Sequence, residues 1–115
     1  MSEITICSVS YGCYKYLDLN WELTETLNPE ASITWLIADN AIGSSESKMP
    51  VKDERFNIYE GGQKGDLGAN WHHAQALMML LDHVNSRFVL VLDPDFYVIR
   101  KNWVEDMVSH MKHEN

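Results

Sequence analysis

The sequence predicts an α/β fold built on a mainly parallel sheet, and three observations carry that expectation. Short runs rich in β-branched and aromatic residues alternate with stretches whose apolar residues recur at helical spacing. One of those runs, Arg87-Phe88-Val89-Leu90-Val91-Leu92, is β-branched and aromatic-rich and apolar from Phe88 onward, as in a strand buried on both faces. That run stops at Asp93-Pro94-Asp95, which places two carboxylates at the carboxyl end of a strand, where open α/β sheets bind their ligands.

The elements follow in order. Glu3 to Ser10, apolar at Ile4, Ile6 and Val9, is the first strand. Tyr14 to Leu27 is a helix with Tyr16, Leu19, Leu23 and Leu27 on one side, stopped by Asn28-Pro29. Ser32 to Ala38 is the second strand, Asp39 to Asp53 a polar loop, and Arg55 to Tyr59 a short third strand. Gly61 to Gly68 is glycine-rich and flexible. A second helix spans Ala69 to Val84, with Ala74, Leu77, Met78, Leu81 and Val84 inward. Arg87 to Leu92 is the fourth strand, and Phe96 to Ile99 a further short one. Asn102 caps a final helix, with Glu105 three residues on as in a capping box and Trp103, Met107, Val108 and Met111 on its inner face. Trp21, Trp35, Trp71, Trp103 and the Met78-Met79 pair read most simply as core. Alternating strands and helices make the units βαβ-like.

The 115 residues suit one small domain, residues 1–115, and 45% of them are apolar, enough for a real core. A formal charge of −8 leaves no basic face for a nucleic-acid backbone or an anionic membrane. No apolar run approaches the ~20 residues of a spanning helix, and no basic segment leads into an apolar one as in a secretory signal. Cys7 and Cys13 fit no zinc or redox spacing and read as reduced thiols of a cytoplasmic protein.

Four segments carry candidate chemistry. Asp93 and Asp95, at i and i+2, can bring two oxygens to one hard cation, and such a cation can bridge phosphate oxygens. The competing role is turn and cap chemistry, for which loop aspartates are also suited. Asp39-Asn40 ends the second strand on the same edge. There an aspartate can accept hydrogen bonds from a ribose hydroxyl or a base N–H, or can simply make a turn. The loop Gly61 to Gly68 opens a helix whose N-terminus can hold phosphate, although it lacks a P-loop or dinucleotide spacing. Lys64 is its one cation and the candidate to meet a phosphate or a base. The adjacent His72 and His73 face different directions on a helix, one toward the core and one toward solvent.

With these residues in view, the chain resembles the N-terminal, donor-binding half of family-2 glycosyltransferases with the GT-A fold. Four segments match in order: Thr5-Ile6-Cys7-Ser8-Val9-Ser10-Tyr11, the family's first strand; Trp35-Leu36-Ile37-Ala38-Asp39-Asn40, whose terminal aspartate contacts the nucleoside; Gly68-Ala69-Asn70-Trp71-His72-His73-Ala74-Gln75-Ala76-Leu77, the glycine-led helix; and Phe88-Val89-Leu90-Val91-Leu92-Asp93-Pro94-Asp95, the strand with the D-x-D. The resemblance implies a three-layer α/β/α, Rossmann-like domain that ends after the D-x-D region. It implies that Ser8, Ser10 and Tyr11 line the base pocket and that Asp39, with Asn40, reads the base or ribose. It also implies that Asp95 with Asp93 holds Mn²⁺ or Mg²⁺ on a UDP- or GDP-type sugar nucleotide, and Lys64 aligns loosely with a basic residue of the family. The activity implied is transfer of the sugar to an acceptor hydroxyl, with the metal acting on the leaving group. Family members continue well beyond this point with the acceptor site and the usual general base, so no catalytic base is assigned. A donor half standing alone would expose sheet surface and favour a homo-oligomer.

Two other functions compete. One is a non-catalytic nucleotide-binding or interaction module derived from a glycosyltransferase. The other is a receiver-like phosphoacceptor, which lacks support because Ser8-Val9-Ser10-Tyr11 carries no carboxylate after the first strand.

Overall fold

The strands feed two separate cores, one on each face of a single sheet, but the last strand feeds only one: Val89 and Val91 are 41% and 47% exposed, so that strand is not buried on both faces as its apolar run predicts. The computed structural model describes residues 3–41, 50, 52–61 and 69–114. Its strands are β1 (Ile4–Ser10), β2 (Ile33–Asp39), β3 (Asn57–Glu60) and β4 (Phe88–Val91), and its helices α1 (Tyr14–Leu27), α2 (Ala69–Leu81) and α3 (Trp103–Glu114). The sheet order is β3-β2-β1-β4 and every pairing is parallel. Ile4, Ile6, Trp35, Ile37, Phe88 and Leu92 face one side, packed with Leu17 of α1 and Trp103, Val104 and Val108 of α3. Cys7, Leu36 and Ala38 face the other, packed with Ala76 and Leu80 of α2. The architecture is therefore α/β/α, three layers on a parallel sheet, as the sequence predicts. Among the described residues no helix is long and apolar enough to cross a membrane.

Several local expectations are corrected. On α1 the buried residues are Leu17, Asn20 and Thr24, whereas Tyr16 and Leu19, expected inward, are 38% and 54% exposed. The inward face is the one whose polar groups all find partners. Asn20 Nδ2 donates to the carbonyls of Phe96 at 2.8 Å and Pro94 at 3.3 Å, and the Thr24 hydroxyl donates to Asn20 Oδ1 at 3.1 Å. Asn28 Nδ2 donates to the Thr24 carbonyl at 2.8 Å, so burial costs these groups little. On α2 the buried pair is Ala76 and Leu80, and Trp71 and Met78 are exposed rather than core. That helix stops at Leu81, where His83 and Val84 donate to carbonyls only three residues back.

β3 begins at Asn57, two residues later than expected, because the Arg55 and Phe56 amides turn back to Asp53. Phe96 to Ile99 is not a strand. The Phe96 amide closes a turn on the Asp93 carbonyl and its own carbonyl is taken by Asn20, leaving no ladder to extend. α3 starts after Asn102 as expected, but Asn102 adopts a left-handed φ of 59°. The side-chain acceptor on the first turn of α3 is Asn28 Oδ1, 2.9 Å from the Val104 amide. Acidic Glu105 and Asp106 open this helix and Lys112 and His113 close it, matching its dipole.

Candidate functional site at the β1–β4 switch point

The chain runs outward from β1 to β2 and β3, then returns through α2 to place β4 on the opposite side of β1. At such a reversal the loops leaving the two adjoining strands diverge and open a crevice at their carboxyl ends. Tyr11 leaves β1 there, 56% exposed, and Asp93-Pro94-Asp95 leaves β4. The Leu92 amide is still tied to the Cys7 carbonyl at 3.0 Å, so the two strands separate only beyond that bond.

Asp93 to Phe96 is a four-residue turn closed by the Phe96 amide on the Asp93 carbonyl at 3.0 Å. Pro94 occupies the second position, where its fixed φ suits the turn, and it is buried while Asp93 and Asp95 are exposed on either side. Among the described residues neither carboxylate takes a hydrogen bond or an ion pair, and no cluster of three His, Cys, Asp or Glu side chains forms a ready-made metal site. Two exposed hard oxygen donors fit a Mg²⁺- or Mn²⁺-type ion that completes its shell with substrate phosphates and water. The Tyr97 phenol is pushed up, first by partial burial and then by the charge of Asp95. An open groove of ≈ 510 Å³ runs beside the turn, lined by Asp93, Phe96, Leu92, Val98, Trp103 and Met107 among others.

The other sequence-predicted residues gather at the ends of β1 and β2 and are mostly buried. Ser10 pairs in register with Asp39, and the Asn40 amide donates to the Ser10 carbonyl at 2.8 Å. Ser8, Ser10 and Asp39 are at most 2% exposed. The Asp39 carboxylate accepts the Ala41 amide at 2.9 Å, the turn role that the sequence left open beside nucleoside contact. Asn40 packs on Gly61, where an added Cβ would come 1.6 Å from Asn40 Oδ1. A larger residue there would have to displace the Asn40 side chain, because the Gly61 amide is held to the Asp39 carbonyl at 3.0 Å. Of the predicted nucleotide-side residues, Tyr11 alone presents a large exposed side chain among those described. Lys64 lies outside the described residues. His72 is half-buried and His73 exposed, as expected for adjacent helical positions.

Sequence reasoning missed two polar groups of the fold. One is the buried α1 stripe Asn20, Thr24 and Asn28, legible only as polar residues four apart inside a helix. The other is a cluster around Arg55. Its Nε and Nη2 reach the Asp53 carboxylate at 3.1 and 2.8 Å, Nη2 also reaches the Tyr14 hydroxyl at 2.7 Å, and Nη1 pairs with Asp18. The Tyr14 hydroxyl donates to Asp53 at 2.6 Å. Hydrogen bonds from Arg55 hold the Asp53 carboxyl well below the usual carboxylate range. Arg55 is thus committed to binding the segment before β3 onto α1 and does not serve as a cation for a ligand.

No protein-family model and no curated protein matches the chain. A solved structure does. The crystal structure of S. aureus TarS 1-349 matches with a TM-score of 0.62 at 14% identity, over 96% of this chain and 32% of that one. The fold is glycosyltransferase-like. The likeness to TarS lies in backbone architecture, since so few residues are shared, and the chain spans about a third of the TarS chain's length.

Proposed function

We propose that the chain is the donor-binding part of a glycosyltransferase of the family-2 type. It takes a UDP- or GDP-type sugar nucleotide in the β1–β4 crevice for transfer of the sugar to an acceptor hydroxyl. In that reaction the bond from the anomeric carbon to the diphosphate breaks and the nucleoside diphosphate leaves with the electron pair, while the acceptor oxygen bonds to that carbon and its proton is released to a base not assigned to this chain. The observation that carries this assignment is the pair of exposed carboxylates, Asp93 and Asp95, on a braced turn at the switch point of a glycosyltransferase-like sheet.

Asp95, with Asp93, would hold Mn²⁺ or Mg²⁺, and the bound ion supplies neutralisation of charge on the departing diphosphate. The chain's own residues do the rest. Tyr11 offers an exposed ring to stack on the base. Ser8 and Ser10 support the floor of that pocket, and Asp39 and Asn40 sit where base or ribose would arrive. Lys64 is the candidate cation from the loop ahead of α2. The free thiols of Cys7 and Cys13 support a reducing, cytoplasmic setting.

A second function, a non-catalytic interaction module derived from a glycosyltransferase, is favoured by one observation. The Asp39 carboxylate is fully buried and bonded to the Ala41 amide, which leaves it little to offer a ribose.

Calorimetric titration of UDP and GDP, with and without Mn²⁺, tests the donor site. Binding that requires Mn²⁺ and is lost in Asp95→Asn is the expected result. Absence of binding at millimolar ligand, or unchanged binding by Asp95→Asn, would overturn it. Sugar transfer to an added acceptor would dismiss the non-catalytic alternative.

A further inference from the structure

Asp95 stands between two carbonyls that are tied to the same amide. Asn20, 1% exposed in the middle of α1, donates from Nδ2 to the Phe96 carbonyl at 2.8 Å and to the Pro94 carbonyl at 3.3 Å. One carbonyl belongs to the peptide bond entering Asp95, and the other lies just beyond the peptide bond leaving it. Fixing both restricts the rotation of the Asp95 backbone and therefore the direction of its Cα–Cβ bond. The turn's own bond, from the Phe96 amide to the Asp93 carbonyl at 3.0 Å, completes the bracing.

The orientation of the Asn20 amide is itself determined. Its Oδ1 accepts the Thr24 hydroxyl at 3.1 Å, so its NH₂ is the end that faces the turn. Both side chains are buried, at 1% exposure each, where water cannot substitute for a lost partner. Asn20 is neutral, so its influence on Asp95 is geometric rather than electrostatic. Two carboxylates sharing one cation tolerate little misplacement, and groups that orient metal ligands affect affinity although they do not touch the ion.

We propose, resting on the proposed donor site, that Asn20 is a positioning residue for Asp95, and that the Thr24 hydroxyl sets the amide that does the positioning. Asn20 makes no contact with ligand in this scheme. It determines how much of the affinity for a nucleoside diphosphate depends on the divalent cation.

The test compares UDP affinity with and without Mn²⁺ for the full chain and for Asn20→Ala, Thr24→Val and Asn28→Ala, with a urea midpoint recorded for each. Asn20→Ala is expected to lower the Mn²⁺-dependent affinity by about tenfold or more, and to leave the metal-free affinity unchanged. Thr24→Val should move the same quantity in the same direction by less. Asn28→Ala removes an equally buried amide from the same stripe, away from the turn. It should lower the urea midpoint without altering the Mn²⁺-dependent part, which separates positioning from general destabilisation. Equal Mn²⁺-dependent affinity in folded Asn20→Ala and in the unmodified chain would overturn the proposal. So would a loss in Asn28→Ala as large as that in Asn20→Ala. If Asn20→Ala does not fold, Thr24→Val decides, and an unchanged affinity there overturns the proposal. Absence of any Mn²⁺-dependent binding by the unmodified chain would instead refute the donor site itself.

Discussion

The Asn28 side-chain oxygen accepts the Val104 amide at 2.9 Å, so the end of α1 caps the beginning of α3. The same side chain donates to the Thr24 carbonyl at 2.8 Å, and the Asn102 amide returns a bond to the Leu27 carbonyl at 2.9 Å. One buried amide thus satisfies an orphan N–H on α3 and adds a second donor to the Thr24 carbonyl, which already accepts the Asn28 backbone amide at 3.0 Å. Asn28→Ala removes the cap and leaves the Val104 N–H buried without it. We expect a loss of about 1–3 kcal/mol, adding a cap contribution to the desolvation of the stranded N–H. Urea unfolding measures it, and a loss below about 0.5 kcal/mol would show that α3 docks without the cap.

The Asp53–Arg55 pair makes stability depend on acid. Its Asp53 side chain is 10% exposed and its Arg55 side chain 25%. The folded-state pKa of Asp53 lies below that of an unfolded aspartate, chiefly through hydrogen bonds from Arg55. The contribution is therefore fully present above the ordinary carboxylate range and is lost as pH falls below about 4. Asp53→Asn should cost about 1–3 kcal/mol at pH 7, a partly buried pair being worth less than a fully buried one. It should also flatten the fall in urea midpoint between pH 6 and pH 3. Parallel pH profiles for the two proteins would contradict this.

Gly61→Ala places a methyl group on the Asn40 side chain. The contact of 1.6 Å from an added Cβ to Asn40 Oδ1 cannot be relieved without moving that side chain or the turn after β2. A destabilisation of about 1–3 kcal/mol is expected. Asn40→Ala made in the same chain should recover most of it, since the clash is with one side chain. A double-mutant cycle showing no coupling between the two positions would place the cost elsewhere.

Burial pushes the Cys7 thiol up to about 11, while Cys13 is half-buried at the start of α1. At pH 8 iodoacetamide should modify one thiol per folded chain, at Cys13, and two in urea. Mass spectrometry of the labelled peptides distinguishes the sites, and rapid labelling of Cys7 in the folded chain would mean that the β1 core opens readily.

The strands and their parallel arrangement were legible because the signal that marks them is the force that places them. Ile4, Ile6, Trp35, Ile37 and Leu92 are apolar, and the sheet buries them. The helix faces were less legible. Periodicity favoured Tyr16 and Leu19 on α1, but burial went to Asn20 and Thr24, because a polar group with every bond satisfied can outcompete an apolar one with no neighbour to pack on. Such partners come from residues far along the chain, Pro94, Phe96 and Val104, and a local pattern contains no record of them. The same holds at the site. The paired aspartates were visible as Asp93-Pro94-Asp95, whereas the side chain bracing them was hidden in α1, and Arg55 gave no sign that Tyr14 and Asp18 would claim it.

The order of strands in space also sets an order in time. Ile4 is paired with Ile33 on one side and with Phe88, much further along the chain, on the other. β1 can meet β2 across one helix, but its other side waits for β4, and such distant pairing is slow. The crevice between β1 and β4 is thus assembled after the β1–β2 pair. Pulse-labelled hydrogen exchange during refolding should find the Leu92 amide, which is bonded to the Cys7 carbonyl at 3.0 Å, gaining protection after the amides that join β1 to β2. Simultaneous protection of the two sides of β1 would mean that the sheet closes in one step. If β4 does dock after β2, a growing chain carries the residues proposed to meet a nucleotide long before those proposed to hold a cation against it.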